Sequence, residues 1–522
     1  MTRAATSGAA RPGRGSALNA TRRATELVEA TDGRVVDLLV VGLGITGAGV
    51  ALDAAARGLD VVAVDAHDLA FGTSRWSSKL AHGGLRYLAR GQVGVAAESA
   101  VERRILMTTT APHLVQPVPM VLPLLPEVSR LQGSVARLGF RGGDLLRLGT
   151  RTSGQVLPPA RHLTRPEVLQ LLPGVRRAGL RGGLATWEGR LEDDARLVVA
   201  VARTAATHGA RVLTRCRVVT LRGDGADVRD ELTGRTGVVR ARAVVNATGV
   251  WAGQLAPDVA LRPSRGTHLV LRGRDLPGLS AALTVPMPGE RNRYLLVVPH
   301  AGGLVYVGLT DEPVDGPLPD VPTPTENEIA FLLDLLGTAL EHPPDRRAVV
   351  GAFAGLRPLL DARGRTADLS RRHAVLESPS GVVTVVGGKL TTYRRMAQDA
   401  VDVAVRRAGL SCGPCRTSRL PLVGAAGPEG SGPASEELRK LPQRLVDRHG
   451  SEALAVARQG ESTRPVAPGV DCTAADLAWG VTHEGALDVD DLLDRRTRVG
   501  LVAADRAAAV PAAEHALAAL RV

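Results

Sequence analysis

The stretch Val35–Asp65, "VVDLLVVGLGITGAGVALDAAARGLDVVAVD", decides the fold. Val35–Val41 is a short apolar run, the pattern of a buried strand. Gly42, Gly44 and Gly47 follow in GxGxxG spacing, with Thr46 inside the motif. The next residues have helical composition and end at Gly58, and "DVVAVD" reads as a second strand ending in Asp65. Together they form a βαβ unit. The first glycine makes the turn, the second lets backbone amides approach a pyrophosphate, and the third permits close helix–strand packing. Asp65, 18 residues past the third glycine, is spaced to accept hydrogen bonds from a ribose. A turn that merely favours glycine would not need strand, helix and acid together.

This motif does not choose between a nicotinamide and a flavin dinucleotide; two later segments do. "VVNATGVWA" ends a strand in small residues, Thr248 and Gly249, which lets a ligand lie against the backbone. "TVVGGKLTTYRRMAQDAVDVAV" is a strand, the diglycine Gly387–Gly388 and an amphipathic helix. Its start at Leu390, Thr391 and Thr392 is a second ready-made site for a polar or anionic group. A nicotinamide domain needs one such turn, whereas a long flavin threaded through the protein can use several.

Composition sets the frame. The 522 residues allow two or three domains, and 44% hydrophobic with 23% charged residues is the balance of a folded protein. The net charge of +12 admits nucleic acid, an anionic membrane or a phosphorylated substrate as partner. Aromatics at 2% and no recognisable binding motif argue against nucleic acid, and a solvated basic surface accounts for most of the arginines. Cys216, Cys412, Cys415 and Cys472 give no disulfide framework and suit a reducing cytoplasm. The Cys412–Cys415 CxxC lacks the preceding strand of a redox site, and a metal would need two further ligands, so no metal is expected. No apolar run is long enough to span a bilayer, and no stretch reads as a strongly amphipathic basic helix.

Residues 1–34 read as a disordered basic tail, 35–423 as a dinucleotide-binding domain interleaved with a substrate domain (roughly 115–185 and 260–350), Gly424–Ser435 as a linker, and 436–522 as a helical domain. Of the 65 basic residues only Lys79, Lys389 and Lys440 are lysines, and the first two lie in glycine-bearing motifs. A retained lysine points to a place where the planar guanidinium does not fit.

The order of "GLGITGAG", "SSKLAHGGLRYL", "NATGVWA", "GTHLVL", "GLTDEP", "GLRPL" and "GGKLTTYR" resembles FAD-dependent glycerol-3-phosphate dehydrogenases, most of all the aerobic, quinone-linked actinobacterial form. The match runs from about Asp37 to the end. The resemblance implies an α/β fold with α+β elements: a Rossmann-like FAD-binding domain of the glycine/D-amino-acid oxidase type, a substrate domain with an antiparallel sheet, and a helical C-terminal domain. It implies FAD as cofactor and oxidation of sn-glycerol 3-phosphate to dihydroxyacetone phosphate. It further implies electrons passed to a membrane quinone, a homodimer, and a cytoplasmic protein held peripherally on the anionic inner face of the cell membrane.

By the same resemblance Arg86, Arg357 and Lys389 match the substrate-binding cations, and Tyr87 the accompanying tyrosine. His82 and His268 are the candidates for the base, with Arg357 beside them. Ser74, Ser77, Ser78, Lys79, Gly83 and Gly84 match a loop over the flavin. Thr248 and Gly249 match the adenosine side, and Thr391 and Thr392 the ribityl chain and ring. The chemistry is apt: a departing hydride requires the C2 hydroxyl proton to leave to a base, and a phosphate dianion needs fixed cations. Arg75, Trp76, Trp187 and Glu188 depart from the family's pattern. An oxidase of the same fold using O2, and a non-catalytic flavin-binding scaffold, are the alternative readings; retention of the charged residues argues against the scaffold.

Overall fold

The computed structural model describes residues 15–88, 91–290, 293–360, 373–425, 433–459 and 462–520. The opening strand β1 (Val35–Val41) lies at the centre of a sheet, flanked by parallel partners β2 (Val61–Val64) and Thr236–Asn246. Arg211–Leu213 and Val383–Gly387 extend it on either side, also in parallel, and His373–Glu377 closes one edge antiparallel. Helix α2 (Ile45–Ala56) packs between the helices Asp194–Thr207 and Tyr393–Ala408 to cover one face. An antiparallel ribbon, Cys216–Arg222 with Gly225–Asp230, covers part of the other. Parallel strands buried on both faces explain the Val/Leu/Ala-rich runs such as Leu38–Val41 and Val61–Val64, since neither side needs polar residues there.

A ten-stranded second sheet is built from residues 80–81, 115–191 and 264–357. Its pairs are antiparallel except Ala282–Pro286 with Val115–Pro123, which run parallel, so the expected antiparallel sheet is mixed at that seam. It begins with β3 (Leu80–Ala81), inside "SSKLAHGGLRYL", and ends with Val349–Arg357, which delivers Arg357. After it the chain returns to the first sheet.

Residues 433–459 and 462–520 are mainly helical and built around two small apolar clusters. Buried ion pairs clamp this unit to the dinucleotide domain: Asp68 with Arg495 and Arg496, Asp193 with Arg498, Arg196 with Glu484. The central part of the expected linker, residues 426–432, lies outside the described residues, but Gly424 is anchored by the Ser451 N–H, 2.9 Å from its carbonyl oxygen.

The tail reading is corrected in part. Residues 1–14 lie outside the described residues, but α1 (Ala20–Ala30) is a helix capped by the Asn19 side chain on the Arg22 N–H. Its Arg23 is buried, donates to the Thr214 carbonyl at 2.7 Å and pairs with Asp230. Arginines that look like a solvated run in sequence instead satisfy carbonyls at a strand end.

Candidate active site

A cavity of about 460 Å³ opens at the carboxyl ends of the parallel strands, the position where doubly wound sheets bind ligands. Val41, Gly42 and Asp65 line it from β1 and β2, Thr248 and Gly249 from the strand ending at Asn246, and Gly387, Gly388 and Leu390 from the one ending at Gly387. Three strand–turn–helix segments far apart in sequence thus face one space, as the motif order predicts.

The glycines act as the motif requires. Gly42 has φ +100°, and a Cβ there would lie 2.6 Å from the Ala247 carbonyl oxygen. A Cβ on Gly47 would collide with the Gly42 carbonyl oxygen. The backbone of the turn therefore stays bare toward the cavity, at the positive end of α2. The Asp65 side chain accepts the Leu43 N–H at 2.7 Å and the His67 N–H at 2.8 Å, so its carboxylate is held at the end of β2. Burial pushes this carboxyl up to about 6, against the pull of those two amides. A bare glycine turn, a helix N-terminus and a fixed carboxylate form a donor and acceptor set that fits the pyrophosphate and ribose of a dinucleotide.

The second sheet supplies Arg357, the first sheet's last parallel strand leads into Lys389, and the segment before β3 supplies the hydroxyls. Arg357 lines the cavity with its guanidinium 3.1 Å from Asp311 Oδ1, Ser264 Oγ and the Thr310 carbonyl oxygen, so its orientation is fixed by three acceptors. Lys389 lines the same space, 3.9 Å over the Tyr87 ring and 2.9 Å from Ser99 Oγ. Tyr87, buried, is the platform under Lys389. Ser74 caps the start of α2, its hydroxyl accepting the Ile45 N–H at 2.9 Å; Ser77 and Ser78 also face the cavity. His82 is on the lining, and its N–H donates to Thr391 Oγ1 at 3.2 Å.

Several expectations are corrected. Lys79 does not face the cavity. It is fully buried, with its ammonium 2.5 Å from Asp194 Oδ1, 3.6 Å from Asp193 Oδ2 and donating to the Arg75 carbonyl. Asp194 also accepts from the Ser77 N–H and Oγ–H, both at 2.8 Å. Lys79 thus braces the serine loop from behind and touches no cofactor position. His268 is likewise behind the wall, reaching the cavity through Ser78, whose Oγ lies 2.9 Å from its Nε2. Burial, aided by the positive charges of Lys79 and Arg357, pushes His268 down to about 3 and keeps it neutral. Gly83 and Gly84 do not line the cavity either; they let α4 (Val93–Ile105) approach, through Arg103 and through Ala96 and Ser99. Thr392 turns its hydroxyl to the Lys389 carbonyl. Arg86 sits in the short helix α3 (Leu85–Leu88), and its side chain lies outside the described residues.

Sequence reasoning missed Asp311, which orients Arg357, and the Asp193–Asp194 pair. The signal for the pair was present: two acids opening a helix, where only one is needed as a cap. Asp193 is that cap and Asp194 is the counter-ion of Lys79. Trp76 lines the cavity, whereas Arg75 turns away, 4.3 Å over the Trp76 ring. Glu188 accepts from Arg103 and from the Gly83 N–H, so it fixes the loop.

Residues 37–394 match the model of the FAD dependent oxidoreductases, and residues 415–520 that of the C-terminal domain of alpha-glycerophosphate oxidase. Glycerol-3-phosphate dehydrogenase 1 of Mycobacterium tuberculosis is 52% identical over 510 residues, covering 96% of this chain and 98% of that one. The chain belongs to the FAD-dependent glycerol-3-phosphate dehydrogenase family. Glycerol-3-phosphate dehydrogenase 2 of the same organism is 37% identical over 89% of this chain and 81% of its own. Among solved structures, glycerol-3-phosphate dehydrogenase from Bacillus halodurans complexed with FAD superposes with a TM-score of 0.74 at 27% identity, covering 96% of this chain and 94% of that one. Family membership makes FAD the cofactor of this dehydrogenase, and the glycine turn, Asp65 and the Gly387–Thr391 segment line one cavity.

Proposed function

We propose that this dehydrogenase oxidises sn-glycerol 3-phosphate to dihydroxyacetone phosphate and delivers the electrons to a membrane-dissolved quinone. The observation that carries the reading is the pairing of two oriented cations, Arg357 and Lys389, with His82 on the wall of one cavity that also holds the dinucleotide motif. Bound FAD supplies the acceptor for the hydride that leaves C2 of the substrate.

The chain's own residues do the rest. Arg357 and Lys389 neutralise the phosphate, the arginine as a fork fixed by Asp311 and the lysine as a point charge set on Tyr87. Arg86 on α3 is the further cation of this set. His82 takes the C2 hydroxyl proton as the C–H bond breaks, so alcohol becomes ketone with one hydride and one proton lost. Neutral His268 fixes the Ser78 hydroxyl, which positions the substrate oxygen. The apolar wall from Trp76 and Leu309 keeps water from the reacting carbon.

Quinone rather than O2 as acceptor is supported by the chain's resemblance to the family's aerobic, quinone-linked form, with the basic surface as its route to an anionic membrane. Among the described residues no helix is long and apolar enough to cross a membrane, so contact would be peripheral. The test is turnover with glycerol 3-phosphate, comparing reduction of a menaquinone analogue with peroxide yield. Rapid quinone reduction with little peroxide is expected; stoichiometric peroxide would establish the oxidase reading instead.

A further inference from the structure

Two cavities share one wall. It is built from residues 77–79 and the start of the helix Asp194–Thr207, joined where Asp194 accepts the Ser77 N–H. Ser77 lines the active-site cavity, and Asp193 lines a second cavity of about 40 Å³, large enough for water. The second cavity lies where the substrate sheet meets the helical C-terminal unit, lined by His300 and Tyr306 from the one and by Arg444 and Asp471 from the other. It reaches solvent beside Gly302 and Gly469, both exposed.

A chain of polar groups crosses that wall. The Ser77 hydroxyl donates to Asp194 Oδ2 at 2.8 Å, and the Lys79 ammonium donates to Asp194 Oδ1 at 2.5 Å. Asp193 Oδ2 lies 3.6 Å from the same nitrogen, only a few tenths of an ångström beyond a hydrogen bond. The rings of Phe353 and Tyr306, 5.3 and 5.9 Å from the Lys79 nitrogen, leave the ammonium no further charged neighbour on that side. Lys79 has φ +56°, and Arg498, which also pairs with Asp193, has φ +64°. Backbone in the left-handed region thus sets both cations around one carboxylate.

We propose that Ser77, Asp194, Lys79 and Asp193 form a path that carries the proton released by alcohol oxidation from the active-site cavity to the second one. The source of the proton rests on the oxidation proposed above; the path itself rests on the geometry. Ser77 accepts a proton inside the cavity and passes its own to Asp194 Oδ2. Lys79 gives a proton to Asp193 Oδ2, and the Asp194 carboxyl turns to return one to the amine. Asp193 then releases its proton to water in the second cavity. Every group ends in its starting charge, one proton has crossed the wall, and no electron or heavy-atom bond has moved.

The choice of lysine supports a role beyond bracing. Other buried pairs at this junction, Asp68 with Arg495 and Arg496, and Glu484 with Arg196, use arginine. A guanidinium stays charged and passes no proton, whereas an ammonium gives one up when its surroundings favour it. Burial pulls the Lys79 pKa down, in that direction. Cofactor and substrate both occupy the active-site cavity when the proton is released, so an exit through its wall does not wait for product to leave.

The test is one anaerobic turnover of the FAD-loaded protein with glycerol 3-phosphate in weak buffer, following flavin bleaching and a pH indicator together. In the wild type a proton should appear in the medium in step with bleaching. Lys79→Arg keeps the charge but gives up no proton, and Asp193→Asn keeps a side-chain cap for the helix. In each, proton appearance should lag bleaching by at least ~10-fold. Urea midpoints and flavin content report that the variants are folded; where Lys79→Arg does not fold, Asp193→Asn decides. Steady-state turnover with a dye acceptor should fall with the lag in Asp193→Asn, and added imidazole, a diffusible proton carrier, should restore it, which a merely structural loss would not allow. Proton release that stays in step with bleaching in Asp193→Asn would overturn the path, as would a wild type that bleaches without releasing a proton. A wild type that does not bleach would sink the oxidation reading and the path with it, and the absent spectral change tells that failure apart.

Discussion

Lys79→Met removes a charge that the fold has enclosed completely. In the wild type the ammonium has Asp194 at 2.5 Å, Asp193 at 3.6 Å and the Arg75 carbonyl at 3.1 Å, and none of its surface reaches solvent. Burial pulls the Lys79 pKa down, and the Asp194 carboxylate opposes that pull. Methionine fills most of the stem's volume but leaves the buried Asp194 with the Ser77 N–H and hydroxyl and the Ala195 N–H as donors. Breaking one side of a buried pair costs about 3–5 kcal/mol, a large share of the ~5–15 kcal/mol that holds a typical domain. Asp194→Asn alone should cost a comparable amount, because the lysine is then the orphan. The double variant, with both charges gone, should recover most of one single-variant loss, giving a coupling of at least ~2 kcal/mol. The assay is urea denaturation of the four holoproteins, followed by far-UV circular dichroism and by FAD release. Additive single losses, or a Lys79→Met protein within ~1 kcal/mol of wild type, would refute the bracing role.

Three further outcomes follow from the geometry. Asp65→Ala removes the carboxylate at the end of β2, and FAD affinity should fall by about 10- to 100-fold on titrating the apoprotein by flavin fluorescence; a change under about twofold would contradict the ribose role. Lys389→Arg keeps the charge but replaces a compact ammonium seated on Tyr87 and Ser99 with a longer planar group; kcat/KM for glycerol 3-phosphate should fall at least ~10-fold, and full activity would sink the argument from the retained lysine. His113 is half-buried, away from the cavity, and desolvation pushes it down to about 3 from 6.5. Because its folded value is the lower one, its contribution to stability is complete above pH ~6.5 and is lost as pH falls toward 3. His113→Asn should therefore flatten the acid-side loss of stability by about 1.4 kcal/mol per pH unit between pH 6 and 4, read from urea midpoints; an unchanged slope would contradict a neutral imidazole.

The first sheet was legible because its signals are local. A seven-residue run with six apolar residues, three glycines and an acid fit within 31 residues, and each has one steric or hydrogen-bonding reason to be there. The pairing of β1 with Thr236–Asn246, about 200 residues away, has no local signal, and the substrate sheet mixes such pairings with hairpins between consecutive strands such as Ala282–Pro286 and Tyr294–Pro299. Residue roles were legible as chemistry but not as direction. Lys79 and Lys389 both sit beside glycines, yet one points into the cavity and the other into an acid pair brought by a helix more than 100 residues later. His82 and His268 were equal in sequence; the structure separates them by one serine. The docked α1 was misjudged from composition, because what surrounds an arginine is decided by tertiary packing.

The central claim, oxidation of glycerol 3-phosphate at this cavity, is tested most directly by adding that compound anaerobically to the purified FAD-loaded protein and recording the flavin absorbance. The account predicts prompt bleaching by glycerol 3-phosphate, and poor bleaching by glycerol, which offers Arg357 and Lys389 no phosphate. A flavin that stays oxidised with glycerol 3-phosphate, or bleaches equally with glycerol, would contradict it.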